Sequence, residues 1–223
     1  MYEALIILGK GIQQISFALV TGSIFFNIIS KGFNKNLNNY TYLTLIKSLL
    51  LLILILSPLN LFIQTAFYYD NYDSLFNLSA IKKIILETRF GNYWSFKVFL
   101  LMTLISMMYY RKIFSLKIFI LLLLFTSSLV SFTGHSAALD YKFFAILINI
   151  IHIISINIWF GTLLFIIINY SNNNSLKRIL SKFTYIASVC MFLIILSGCI
   201  LSLLNLDFSF PALLGTKYGY IIL

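Results

Sequence analysis

Apolar residues in this chain do not alternate with polar ones. They run on continuously, broken by short charged or Asn-rich segments. Runs near Ala4 to Ser30, Tyr42 to Tyr69, Asn92 to Tyr110, Ile113 to Thr133, Phe143 to Tyr170 and Phe183 to Leu206 are built mostly of Ile, Leu and Phe. A helix needs about 20 such residues to cross a bilayer core. The pattern predicts an all-α polytopic transmembrane helix bundle with six complete spans and the start of a seventh near Tyr218. The opening "MYEALIILGK" has an acid near its start and no basic leader, so the first span is expected to be retained.

Composition sharpens this picture. The chain is 61% apolar and only 10% charged, which leaves helices apolar all round and excludes an ordinary soluble core. A net charge of +10 would suggest nucleic acid in a soluble protein, but here it has a topological source. Lys31 and Lys35, then Arg111, Lys112 and Lys117, then Lys177, Arg178 and Lys182 follow the odd-numbered spans with no acid among them, which predicts cytoplasmic loops and an N-terminus outside. All six acids fall on the opposite side, where Lys82, Lys83 and Arg89 also lie. Cys190 and Cys199 are spaced to opposite faces of one helix, so they form neither a local disulfide nor a metal clip.

The chain also carries an internal echo. Gln13-x8-Gly22-x3-Phe26 in span one matches His152-x8-Gly161-x3-Phe165 in span five. "TRFG" at Thr88 to Gly91 opens span three, and "TKYG" at Thr216 to Gly219 opens what would be span seven. Similar offsets predict a 4+4 parallel repeat within a single membrane domain over 1–223, the first copy about 1–135 and the second about 140–223. On that reading most of span seven and all of span eight would lie beyond Leu223.

A polar group in hydrocarbon is costly unless paired, so intramembrane polar residues are candidates for function. Ser57, Asn60 and Gln64 share a face of span two just after Pro58, a kink candidate, and span one offers Gln13 and Gln14. Asn149, His152, Ser155 and Trp159 form a stripe on span five. The only two histidines are His135, at the end of "TSSLVSFTGH", and His152. A hairpin turning near Leu139 places His152 about nine residues, or roughly 13 Å, deeper than His135. The two suit a staircase better than one shared site, with His152 facing Thr126 to Ser128. Cys199 falls near the depth of His152, which makes it a speculative soft partner for Cu(I). A lone membrane histidine equally serves to bond a neighbouring Ser and join two helices, and Cys199 beside Gly198 reads first as a small packing residue.

"TGHSAA", His152-x6-Trp159-Phe160-Gly161, "ETRFGNYWSFK", "LSG" and "LLGTKYGYIIL" occur in an order that resembles the copper resistance protein D family, CopD or PcoD, over nearly the whole chain. The resemblance implies a non-enzymatic, multi-pass bacterial inner-membrane protein with a periplasmic N-terminus. It implies copper transport and resistance, a copper ion of undecided valence as cargo, and a periplasmic CopC-type copper-binding protein as partner. It also implies that His135 and His152 are copper ligands, with Gln64, Trp159 and Gly161 at family positions. The chain departs from the family at Gln13, where relatives often carry histidine. Two readings from other classes stand beside transport: a b-type haem electron-transfer protein, and a scaffold docking its partner through the loop from Asp70 to Arg89.

Overall fold

The computed structural model describes residues 2–30, 39–110, 115–133, 141–168 and 175–205. Within them lie α1 (Tyr2–Ser30), α2 (Asn39–Tyr69), α3 (Leu78–Glu87), α4 (Arg89–Tyr109), α5 (Leu116–Ser128), α6 (Lys142–Ile168) and α7 (Ser175–Asn205). Short 3₁₀ turns occupy Tyr72–Phe76 and Leu129–Phe132. All regular structure among the described residues is helical.

Four segments, Ala4–Ser30, Leu43–Tyr69, Lys142–Ile168 and Ile179–Asn205, are long and apolar enough to cross a membrane. Leu116–Phe132 is apolar but shorter, and α4 carries Arg89 and Lys97. Of the six complete spans expected, the described helices therefore supply four of full spanning character. The fragment near Tyr218 lies outside the described residues.

Several boundaries differ from the apolar runs, for identifiable reasons. α7 starts at Ser175 rather than Phe183, because Lys177 and Lys182 end apolarity without ending a helix. α2 runs through Pro58 as one helix. α5 gives way to a 3₁₀ turn after Ser128, where the hydroxyls of Thr126, Ser127 and Ser128 donate to the carbonyls of Leu122, Leu124 and Phe125.

The segment from Asp70 to Arg89, expected as a loop, contains a helix. Asn77 caps α3, its Oδ1 accepting from the backbone N–H of Ser79 at 3.0 Å. Ala80 and Ile84 are buried while Lys82, Lys83 and Glu87 are exposed, so α3 is amphipathic and too short to span. Thr88 then caps α4 by accepting from the Gly91 N–H at 3.0 Å. A Cβ on Gly91 would lie 2.2 Å from the Ile84 carbonyl oxygen, so glycine here allows α3 to fold back on α4.

α1 is the central helix. Its Phe17, Val20 and Ile24 join residues of α2, α4 and α5 in one buried cluster, and its Phe26 and Ile29 join α6 and α7 in a second. α1 and α6 approach to backbone contact. A Cβ on Gly22 would sit 1.9 Å from the Gly161 carbonyl carbon, and one on Gly161 would sit 1.8 Å from the Ala18 carbonyl oxygen. One turn on, the rings of Phe26 and Phe165 stand 5.2 Å apart. Small residues let two backbones touch, which is how helices associate where lipid removes the hydrophobic drive.

Gly161→Leu should force α1 and α6 apart. We expect loss of monodisperse protein on detergent size exclusion, or destabilisation of at least about 3 kcal/mol. Gly11→Leu, where an added Cβ meets nothing within 4 Å, should behave like the parent.

Candidate functional site

Two polar centres lie among the described helices, on different sides of α1. The first is a cavity of about 60 Å³ between α1, α2, α4 and α5, lined among others by Lys10, Gln13, Ser57, Asn60, Trp94 and Lys97. Its organising residue is Gln13, buried to 4% exposure. Gln13 Oε1 accepts from Lys97 Nζ at 2.6 Å. Gln13 Nε2 donates to Ser57 Oγ at 3.2 Å and reaches the Ile53 carbonyl at 3.4 Å. Ser57 can accept because its own proton goes to the Ile53 carbonyl at 2.8 Å. Trp94 Nε1 donates to the Ser57 carbonyl at 2.8 Å. One amide thus ties α1 to α2 and α4, with both ends of the Gln13 side chain satisfied.

Lys97 is the residue that reading apolar runs passes over. It lies eight positions inside α4, roughly 12 Å along the axis, with its ammonium 5.8 Å from the centroid of Phe17. A cation that far inside a helix of an apolar membrane bundle is itself a signal of function. The stacked rings of Tyr93 and Phe132, 5.2 Å apart, join α4 to the turn after α5 beside the same cavity.

The second centre is His152 on α6. Its Nδ1 lies 2.9 Å from Ser197 Oγ of α7, and Ser197 donates its own proton to the Leu193 carbonyl. With that proton so placed Ser197 accepts from the ring, the arrangement of the tautomer with its proton on Nδ1 and its lone pair on Nε2. A Cβ on Gly198 would lie 3.6 Å from His152 Cε1, so the imidazole rests over a position with no side chain. The hydroxyls of Thr126 to Ser128, which His152 was expected to face, bond carbonyls of their own helix, and the ring bonds α7.

The other candidates are dispersed. Gln64 is partly buried on α2 and does not line the cavity that holds Gln13, Ser57 and Asn60. Asn149 is partly buried and Ser155 fully so. Trp159 packs against the cluster of Phe26, Phe165, Ile179 and Phe183. Cys199 is exposed and free, and Cys190 is buried and free. His135 lies outside the described residues. Among the described residues no group of three or more His, Cys, Asp or Glu is placed to hold a metal ion. Between the two centres, Gln14 Nε2 donates to Asn157 Oδ1 at 3.2 Å, a direct polar link from α1 to α6.

Residues 1–141 match the family model described as Copper resistance protein D-like, N-terminal domain. No curated protein and no solved structure matches the chain.

Gln13→Leu removes the Lys97 acceptor and the Ser57 donor together. It should cost about 2 kcal/mol, seen as a fall of roughly 4–8 °C in the detergent melting temperature. Gln14→Leu, which leaves only the Asn157 amide to re-pair, should cost about half as much.

Proposed function

Because the chain belongs to the copper resistance protein D-like family, we propose that it carries copper across the bacterial inner membrane and thereby supports copper resistance, without catalysing a reaction. His152 and His135 are its copper ligands, the latter at the periplasmic mouth and the former deeper. The observation that carries this reading is the hydrogen bond at 2.9 Å between His152 Nδ1 and Ser197. A ligating histidine is normally oriented through its other nitrogen, which fixes the tautomer and presents the free lone pair to the metal. Neutral imidazole suits copper of either valence.

The membrane arrangement is part of the proposal. α4 and α5 complete six crossings, with the N-terminus periplasmic as the basic loops indicate. The two halves are related as parallel repeats. What supports the duplication is that matched residues meet each other: Gly22 lies on Gly161, and Phe26 on Phe165. An axis between α1 and α6 would then make Gln13 the counterpart of His152. A CopC-type protein would deliver copper on the periplasmic side, where α3 offers an exposed basic face through Lys82 and Lys83.

The test is Cu(I) binding to the purified full-length protein under anaerobic conditions. His152→Ala and His135→Ala should each lower the bound copper, and Ser197→Ala should weaken affinity by about tenfold, as loss of an orienting partner does. Copper binding indifferent to all three changes would reduce His152 to a helix-packing residue. A Soret band in the same sample would favour haem instead.

A further inference from the structure

We propose that the cavity between α1, α2, α4 and α5 is a binding site for a small monovalent anion, a halide or a short carboxylate, held by Lys97 and Lys10. The inference does not rest on the copper reading, because His152 is not among the residues lining this cavity.

Charge balance is the argument. Two ammonium groups, Lys10 and Lys97, line one cavity, and among the described residues no Asp or Glu lines it. An ammonium has three N–H donors. Lys97 gives one to Gln13 Oε1, a neutral oxygen that satisfies a hydrogen bond but does not balance a charge. A buried cation without a counter-charge is expensive, and two on one cavity repel each other. An anion between them removes both penalties.

The remaining polar groups fit that occupant. Gln13 Nε2, Trp94 Nε1 and the hydroxyls of Ser57, Thr126, Ser127 and Thr133 are spent on protein acceptors. Asn60 Nδ2 makes no hydrogen bond but has almost no surface open to the cavity, so the donors left for an occupant are the free N–H groups of the lysines. Gln14 Oε1 and Asn60 Oδ1 are neutral acceptors and supply no charge. A metal cation would be repelled by both lysines at close range. About 60 Å³ gives room for roughly four water-sized occupants at about 15 Å³ each. That accommodates a halide or acetate with one or two waters.

Trp94 lines the same cavity and supplies the readout. In a Trp159→Phe background, leaving Trp94 as the single tryptophan, metal-free protein in detergent is titrated with sodium iodide replacing sodium gluconate at constant ionic strength. Iodide quenches on contact, so occupancy of the cavity should appear as saturable quenching, displaced by chloride or acetate. The order of those two competitors decides between halide and carboxylate. Lys97→Gln should weaken the saturable phase at least tenfold, and Lys10→Gln should weaken it severalfold. Gln13→Glu places a tethered carboxylate against Lys97; it should abolish the saturable phase while keeping the melting temperature. Linear quenching of equal slope in parent and Gln13→Glu protein, unaffected by chloride, would overturn the proposal even if Lys97→Gln failed to fold.

Discussion

Backbone contact between α1 and α6 is the constraint from which the rest of the arrangement follows. With Gly161 against Ala18 and Gly22, the two helices meet at a separation that no larger side chain permits. α1 is thereby committed on one face to α6 and must satisfy α2, α4 and α5 with the others. The two polar centres fall on opposite flanks of this pair, and the Gln14 to Asn157 hydrogen bond runs between them.

The bundle also inverts the rule for water-soluble proteins. α1 contributes the most to the interior, yet it carries Gln13, Ser16, Thr21, Ser23 and Ser30 buried along its length. α7 is rich in leucine and isoleucine and leaves Val189, Phe192, Ile195 and Leu203 exposed. In hydrocarbon an exposed apolar side chain costs nothing, whereas small and polar residues gain by close approach and by bonding each other. Polarity within a span therefore marks the inside of this protein.

The segment from Thr88 to Lys97 shows structure and chemistry sharing one motif. Thr88 caps α4, and Gly91 lets α3 pack on it. Two turns later, Trp94 and Lys97 reach the cavity from the helix so positioned. The cap and the glycine set where α4 begins, and hence how deep the ammonium sits. The same short motif thus shapes both the fold and the lining of the cavity.

Much of this was legible from the sequence alone. Long apolar runs dictate membrane-length helices because nothing else satisfies the backbone in lipid, and α1, α2 and α6 fall nearly where the runs place them. Gln13, Ser57 and Asn60 stand out as polar residues in apolar surroundings, and the structure gathers all three at one cavity. Gln64, on the same stripe of α2, is left outside it, because a stripe defines a face but not how far along it a neighbour reaches. α3 was hidden by its charges, since its Asn77 cap and buried Ile84 become informative only once α4 is there to cover them. The partners of Lys97 and His152 were likewise invisible. Gln13 lies 84 residues from Lys97, and Ser197 lies 45 from His152. Local sequence determined which groups could not be left alone in the membrane; only the packing of whole helices decided which group each would meet, because that choice depends on contacts summed over every turn of the bundle.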